Sequence, residues 1–272
     1  MAVFGSVAIL PAMASRLFGK RVLITGASSG IGAAAARAFA AEGSKLILGA
    51  RRVDRLESVA AECRQAGAPD VLVHALDVSQ TSSVDAFVSF VRAQAASVDV
   101  LINNAGGAHG AETVATAKDE DWEAMFQSNV LGLLRVTRAV LPLIPHDAGA
   151  YILNIGSIAG RVPYEGGAAY CAAKSGELAI TKALRLELNG TGIRVGTVDP
   201  GLAETEFALT RFKGDAVRAK KVYEGMTPLS GEDIAEALVW AANRPPHVCI
   251  DEILLLPTDQ ATIHKIYRRT AK

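Results

Sequence analysis

Short apolar runs rich in Val, Ile and Leu alternate with longer amphipathic segments along most of this chain. The short runs are almost continuously apolar, which is typical of strands buried on both faces of a parallel sheet. The longer segments carry apolar residues at helical spacing and predict helices. The predicted strands are residues 21–25, 45–49, 71–75, 100–103, 151–155, 194–198 and 250–256, and the predicted helices are 31–42, 53–66, 82–96, 119–140, 168–188 and 231–242.

The alternation of strand and helix predicts a fold of the α/β class. Strands separated by helices of this length form βαβ units with right-handed crossovers, which build a mostly parallel sheet. We therefore expect a doubly wound parallel sheet of about seven strands with helices on both faces. The 272 residues suit one such domain, and no linker, repeat or low-complexity tract divides residues 21–272.

Residues 1–20 precede the first predicted strand and have a different character. Residues 3–10 form a short apolar run, and no acidic residue occurs before Glu42. A signal peptide carries basic residues ahead of its apolar run, and this chain has none there. We therefore expect a poorly ordered extension and a cytoplasmic protein, while organellar targeting by residues 1–20 stays open as an alternative.

Charge balance and cysteine content exclude several classes of partner and site. Lys and Arg together number 28, as do Asp and Glu, so no excess of positive charge would attract nucleic acid or anionic membranes. No apolar stretch reaches the roughly 18 residues that a membrane span requires. The 3 cysteines are widely spaced and form no Cys-x-x-Cys pair, so we expect neither a disulfide framework nor a metal site.

A glycine-rich segment joins the first predicted strand to the first predicted helix. Gly26 permits a tight turn, Gly30 lets the backbone approach a pyrophosphate, and Gly32 allows the helix to pack closely on the sheet. The other positions that we expect to face the phosphates are Ser28, Ser29 and Ile31. A glycine cluster can also serve only a tight turn, but between a strand and a helix it predicts a dinucleotide site of the Rossmann type.

The end of the second predicted strand distinguishes between the two nicotinamide cofactors. NAD sites usually place an acidic residue there to bond the ribose hydroxyls, whereas this chain has Arg51 and Arg52 and no acid before Asp54. Two guanidinium groups suit the 2′-phosphate of NADP, which they can hold through paired hydrogen bonds. The alternative is a pair of solvated surface arginines. We expect NADP(H) as the cofactor.

Two further strand ends carry polar residues or glycine. Asp77 and Val78 follow the third predicted strand and could bond an adenine edge, while Asn103, Ala105 and Gly106 mark the end of the fourth. Each segment could be only a turn, since Asx residues and glycine favour turns. Ligands of open α/β sheets bind outside the carboxyl ends of the strands, so we expect both segments to line the cofactor site.

Candidate acid-base residues lie beyond the fifth predicted strand. Tyr170 and Lys174 are four residues apart and share one face of a helix, while Ser157 comes just after the strand and would hold the substrate oxygen. An ammonium about 4 Å from the phenol would lower its pKa from about 10 by roughly three units, to where general acid-base catalysis is effective. The alternative is an exposed Tyr–Lys pair with no catalytic role.

These motifs, in this order and spacing, resemble those of the short-chain dehydrogenase/reductase family over nearly the whole chain. The resemblance implies that Tyr170 is the proton donor and acceptor, that Lys174 lowers its pKa, and that Ser157 orients the substrate. It also implies that Asn129 is a fourth catalytic residue, which supports a water in the proton relay. From its position, Lys174 could also bond the nicotinamide ribose.

Segments in the downstream part of the chain resemble one subgroup of this family. The loop with Pro200, Gly201 and Thr205 resembles the segment with which the family contacts the nicotinamide. Segments 209–215, 221–223, 227–229 and 257–260 resemble the NADP-dependent 3-hydroxy acid dehydrogenases, which include enzymes acting on serine and allo-threonine. Residues 247–251 depart from the pattern of the bacterial members and leave the subgroup open. The family likeness also implies a homotetramer or a homodimer.

The expected function is reversible hydride transfer between NADP(H) and a small 3-hydroxy acid, such as serine, allo-threonine or 3-hydroxypropionate. Such a substrate needs a cation for its carboxylate, and Arg161 and Arg211 are the candidates, the latter in a segment near 202–228 that we expect to cover the substrate. The alternatives are a reductase of sugars or bulkier ketones and a non-catalytic NADPH-binding regulatory protein. The intact Ser157, Tyr170 and Lys174 argue against the regulatory protein.

Overall fold

The computed structural model describes residues 15–146 and 149–269, and it contains the predicted sheet. Seven strands form this sheet, and every neighbouring pair is parallel. In chain order they are β1 (Arg21–Thr25), β2 (Lys45–Ala50), β3 (Val71–Ala75), β4 (Val100–Asn103), β5 (Tyr151–Ile155), β6 (Arg194–Pro200) and β7 (Glu252–Leu255). Their spatial order is β3-β2-β1-β4-β5-β6-β7, so the direction of winding reverses between β1 and β4.

Helices connect the strands and cover both faces of the sheet. They are α1 (Gly30–Ala41), α2 (Val53–Ala66), α3 (Thr81–Gln94), α4 (Asp119–Met125), α5 (Gly132–Val140), α6 (Ala168–Glu187), α7 (Phe207–Arg211), α8 (Ala216–Lys221) and α9 (Gly231–Ala242). Helices α1, α2 and α9 pack on one face, whereas α3, α5 and α6 pack on the other. Among the described residues, no helix is long and apolar enough to cross a membrane.

The alternation of side chains along each strand divides the core into two layers. Within β1, Val22 and Ile24 belong to the cluster beneath α1 and α9, while Leu23 belongs to the cluster beneath α3 and α5. All three side chains are fully buried. Because successive residues of a strand point to opposite faces, an uninterrupted apolar run is what a sheet covered on both sides requires.

The structure departs from the sequence prediction in three places. The helix predicted over 119–140 is divided by a π-helical turn, Phe126–Leu131, between α4 and α5. Helices α7 and α8 and the antiparallel pair β8 (Gln260–Thr262) and β9 (Lys265–Ile266) were not predicted, because they are too short to show a period. Residues 15–20 pack on the domain through the buried Leu17, whereas the rest of the predicted extension lies outside the described residues.

Candidate active site

The carboxyl ends of the parallel strands open into a cleft of about 920 Å³. Ligands of doubly wound sheets bind at this edge, where the winding reverses. The predicted site residues that line the cleft are Gly26, Ser28, Ser29, Gly30, Ile31, Arg51, Arg52, Asp77, Val78, Ala105, Gly106, Ser157, Tyr170, Lys174, Pro200, Gly201, Thr205 and Arg211. Within the described chain, Asn103, Asn129 and Arg161 are not among the residues that line it.

Backbone atoms make the closest contacts in the turn between β1 and α1. Gly26 has a φ of +67°, and a Cβ there would lie 2.9 Å from the Cα of Ala105. A Cβ on Gly32 would lie 2.5 Å from the carbonyl oxygen of Gly26. Glycine is therefore required on steric grounds at both positions. The turn leaves backbone rather than side chains at the floor of the cleft, which fits the pyrophosphate of a dinucleotide.

The end of β4 is tied to the end of β1 through Thr25. The Thr25 hydroxyl accepts hydrogen bonds from the backbone N–H groups of Asn104 (3.0 Å) and Ala105 (2.9 Å). The buried side chain of Asn103 turns away from the cleft and donates to Thr137 of α5 and Asn154 of β5 at 2.9 Å each, so its contact with the cofactor stays a prediction. Asn104, one residue later, lines the cleft instead.

At the far end of the cleft, Arg52 joins the glycine turn to a distant segment. Its guanidinium donates to the Ser29 hydroxyl (2.7 Å) and to the Glu206 carboxylate (2.9 Å). Arg55 donates to the other oxygen of Glu206 at 2.6 Å. The hydrogen bonds from Arg55 and Arg52 lower the pKa of Glu206. Glu206 was missed by the sequence analysis, although an acid directly after Thr205 was the available signal.

Tyr170 and Ser157 meet in the cleft at the other end. Ser157 lies in hydrogen-bonding contact with the Tyr170 phenol, and its own hydroxyl accepts from the backbone N–H of Ala159 at 3.1 Å. Burial raises the pKa of Tyr170, while the charge of Lys174 and the contact with Ser157 lower it only in part. The net shift is upward, so the prediction of a phenol pKa near 7 is wrong for this arrangement.

Lys174 is buried and held by two acceptors. Its ammonium donates to the carbonyl oxygen of Ile155 (2.7 Å) and to the carboxylate of Glu177 (2.6 Å). Burial lowers the pKa of Lys174, but the negative charges of Glu177 and of an ionised Tyr170 outweigh this effect and raise it. Glu177, one helical turn after Lys174, is a second residue that the sequence analysis missed.

Asn129 lies in the π-helical turn, directly behind the wall of the cleft. Its amide donates to the carbonyl oxygens of Gly107 (2.9 Å) and Met125 (2.8 Å), and its oxygen accepts from the N–H of Gly107 (3.1 Å). A Cβ on Gly106 would overlap the Asn129 amide and would lie 4.0 Å from the Lys174 ammonium. The π-helical turn thus brings Asn129 to the same glycine that borders Lys174, and its catalytic role stays a prediction.

The two candidate carboxylate anchors have different surroundings. Arg161 points away from the cleft and forms ion pairs with the buried Asp199 and with Glu252, so the prediction that it anchors a substrate is wrong. Arg211 lines the cleft and donates to the Tyr164 hydroxyl at 2.6 Å and to two backbone carbonyls. Its charge also lowers the pKa of Tyr170, although burial outweighs that effect.

Comparison with known proteins agrees with this geometry. The family model described as short chain dehydrogenase matches residues 20–215. The chain belongs to the short chain dehydrogenase family. It is 45% identical to an NADP-dependent 3-hydroxy acid dehydrogenase of Schizosaccharomyces pombe, over 94% of this chain and 100% of the relative. It is 44% identical to a sulfoacetaldehyde reductase of Chromohalobacter salexigens, over 88% of this chain and 94% of the relative.

Solved structures of short chain dehydrogenases have the same fold. The closed form of serine dehydrogenase complexed with NADP⁺ is 37% identical and superposes with a TM-score of 0.85, covering 92% of this chain and 100% of the other. A metagenomic short-chain oxidoreductase in complex with NADP is 31% identical, with a TM-score of 0.75, over 90% of this chain and 99% of the other. The predicted fold and family are therefore confirmed for this short chain dehydrogenase.

Proposed function

We propose that this chain catalyses reversible hydride transfer between NADP(H) and the hydroxyl-bearing carbon of a small 3-hydroxy acid. The observation that carries the proposal is Arg211, a cation in the wall of a cleft that also contains Ser157 and Tyr170. A guanidinium has five N–H groups, and three of those on Arg211 have partners in the described structure. One N–H on each terminal nitrogen is left for a carboxylate, which can bind in a bidentate manner.

The residues of the cleft fit the cofactor that the proposal requires. The glycine turn would hold the pyrophosphate, Arg51 and Arg52 the 2′-phosphate, and Lys174 the nicotinamide ribose. The Schizosaccharomyces pombe relative is described as NADP-dependent, and two of the similar solved structures contain NADP, which supports this choice. When bound, NADP⁺ accepts the hydride from the carbinol carbon.

The chain's own residues account for the movement of the proton. During oxidation the substrate O–H bond breaks as the C=O bond forms, and the proton passes to Tyr170 in its ionised form, which the raised pKa of the phenol favours only at alkaline pH. Ser157 donates a hydrogen bond to the substrate oxygen and Lys174 stabilises the phenolate by its charge. During reduction Tyr170 returns the proton to the developing alkoxide.

The predicted covering segment near 202–228 would close the cleft from both ends. Glu206 links it to Arg52 and Arg55, and Arg211 links it to the carbonyl oxygens of Gly110 (2.9 Å) and Gly166 (3.1 Å). A segment fixed in this way keeps water from the reacting groups and strengthens the electrostatic contacts inside. A closed segment would therefore strengthen the contact between Arg211 and an anionic substrate.

The test is an absorbance assay of NADP⁺ and NAD⁺ reduction with a panel of substrates. Serine, allo-threonine and 3-hydroxypropionate should be oxidised with NADP⁺, whereas a simple secondary alcohol and an aldose should be much poorer. Activity confined to the neutral compounds would contradict the hydroxy-acid proposal and favour a reductase of sugars or ketones. Equal or better use of NAD⁺ would contradict the cofactor assignment.

A second candidate is reduction of sulfoacetaldehyde, which is favoured by the 44% identity to a relative with that name. A sulfonate and a carboxylate both place an anionic oxygen group on a short chain, so Arg211 suits either. Comparing kcat/KM for sulfoacetaldehyde with NADPH against that for serine with NADP⁺ identifies the preferred anion.

Self-association and location complete the proposal. The family likeness supports a homodimer or a homotetramer, and exposed leucines on α5 (Leu134), α6 (Leu186) and β7 (Leu254) are candidate interface positions. Light scattering coupled to size exclusion measures the oligomeric state. We propose a cytoplasmic location, which fractionation of the source cells would test.

A further inference from the structure

Behind the Tyr–Lys pair lies a carboxylate that the proposed mechanism does not use. Glu177 follows Lys174 by one turn of α6, and its side chain is only 4% exposed. Within the described chain it is not among the residues that line the cleft, so it does not face a bound substrate or cofactor directly. Glutamate is almost never fully buried unless it is paired, and its partner here is Lys174.

Packing alone is a poor explanation for this pair. Removing two charges from water is costly, and an apolar residue of similar volume usually stabilises a core at least as well. Helix α6 buries Ala173 and Leu184 against its neighbours without help from charge. The ion pair therefore calls for an explanation in the chemistry of Lys174.

The geometry supplies such an explanation. An ammonium has three N–H donors, and on Lys174 one is directed to the Ile155 carbonyl and one to the Glu177 carboxylate. Ile155 belongs to β5 and Glu177 to α6, so the ammonium is fixed from two elements. Lys174 itself lines the cleft, and its third N–H is left for a ligand there.

Several charges act on Glu177 besides Lys174. Tyr170 lies two turns earlier on α6, and the Glu177 charge opposes ionisation of that phenol. Asp199 of β6 is a like charge, and it is in turn bound by Arg161 and by Thr197. Burial raises the pKa of Glu177 to about 7, although Lys174 offsets part of that effect.

We infer that Glu177 is a positioning residue for the reaction. Its carboxylate holds the Lys174 ammonium so that one N–H faces the cleft, and its negative charge offsets part of the field that Lys174 exerts on Tyr170. Glu177 thus adds to the burial that opposes ionisation of Tyr170, whereas Lys174, Ser157 and Arg211 favour ionisation.

The decisive variant is Glu177→Gln, which preserves the volume and an acceptor oxygen but removes the charge. The ionisation midpoint of Tyr170 is read as the ultraviolet phenolate signal of each protein minus that of the same protein with Tyr170→Phe. Two helical turns place the charge on the order of 10 Å from the phenol, so the midpoint should fall by about one pH unit. The rise of kcat/KM with pH in the oxidation direction should move to lower pH as well.

Two further variants separate charge from packing. Glu177→Asp retains the charge on a shorter side chain, so the midpoint should stay in place while the Kd of NADPH rises about fivefold from the disturbed Lys174. Glu187→Gln removes an exposed carboxylate from the end of the same helix and should change neither quantity. An unmoved midpoint in Glu177→Gln, or equal shifts in the Gln and Asp variants, would overturn the inference.

Glu177→Asp still tests the inference if Glu177→Gln does not fold. In that case a displaced midpoint, or an unchanged Kd of NADPH, contradicts the inference. The inference rests on the proposed role of Tyr170, but the midpoint is measured without substrate or turnover. An inactive panel would therefore contradict the proposed function alone, whereas an active enzyme with an unmoved midpoint would contradict the inference alone.

Discussion

The two ends of the cleft are built by different means. At the cofactor end the glycine turn is shaped by backbone contacts, as at Gly26 and Gly32, where even one added carbon would collide with the chain. At the substrate end the contacts are made by side chains from distant segments, such as Arg211 reaching Tyr164 across 47 positions of sequence. The glycine turn depends on the conformation of its backbone, and the substrate end depends on side chains that tertiary packing brings together. The glycine turn is therefore the more easily predicted of the two.

The largest expected effect separates the chemistry from cofactor binding. Tyr170→Phe removes the proton donor and leaves the glycine turn intact, so turnover should fall by about 10²–10⁴-fold while the Kd of NADPH stays within a few-fold. Steady-state assays and NADPH fluorescence titration measure the two quantities. Tyr267→Phe, at an exposed tyrosine, is the control. Turnover within a few-fold of the parent would refute the acid-base assignment.

The next effect tests whether backbone really shapes the cofactor end. Gly26→Ala places a Cβ against Ala105 and should weaken NADPH binding by about a hundredfold, because several phosphate contacts are displaced together. It should also lower the free energy of unfolding by about 1–3 kcal/mol, since φ is positive there. Gly190→Ala is the matched control, because that glycine has a φ of +87° but open space around it. Equal NADPH binding by both variants would contradict the steric argument.

A smaller effect concerns the side chains that select the cofactor. Arg52→Asp should weaken NADPH binding by about ten- to hundredfold and leave NADH binding nearly unchanged, since a charge-assisted bond to phosphate contributes about 1.5–3 kcal/mol. Arg55→Asp disturbs the same partner, Glu206, but Arg55 is not among the described residues that line the cleft. Fluorescence titration of both variants with both cofactors makes the comparison. Equal losses in the two variants would reassign Arg52 to a structural role.

The smallest effect tests the substrate end. Arg211→Ala should raise KM for serine or 3-hydroxypropionate about tenfold and leave KM for neutral alcohols nearly unchanged, because only the acids lose an ionic contact. Arg218→Ala lies in the same segment and stacks on Phe212, so it controls for loss of a nearby cation. Steady-state kinetics on both kinds of substrate give the answer. A uniform rise of KM would show that Arg211 only holds the segment in place.

The sequence predicted the sheet and the glycine turn because both are local in origin. An apolar run identifies a strand buried on both faces, and a glycine between a strand and a helix identifies a turn with positive φ. The spacing of Tyr170 and Lys174 is equally local, since four residues on a helix place two side chains on one face. These elements needed no knowledge of tertiary contacts.

Side-chain orientations and distant partners could not be predicted from the sequence. Asn103 and Asn104 are adjacent, but successive side chains at a strand end point in opposite directions, and Asn154 of β5 binds Asn103. Arg161 follows Ser157 closely, yet its partner Asp199 comes 38 residues later on β6. The pKa of Tyr170 is raised by burial and, in addition, by the charge of Glu177. Both effects depend on the folded structure, so the spacing of Tyr170 and Lys174 does not predict them.

The bridge from Glu206 to Arg52 and Arg55 has a consequence for the exchange of cofactor. If Arg52 binds the 2′-phosphate, an incoming NADP(H) meets a guanidinium that already has a carboxylate partner, so the phosphate either shares that guanidinium with Glu206 or replaces Glu206 on it. The Arg52 charge is then paired with an anion both in the free protein and with NADP(H) bound. Arg55 also binds Glu206, so this carboxylate of the covering segment would keep one partner when Arg52 turns to the phosphate.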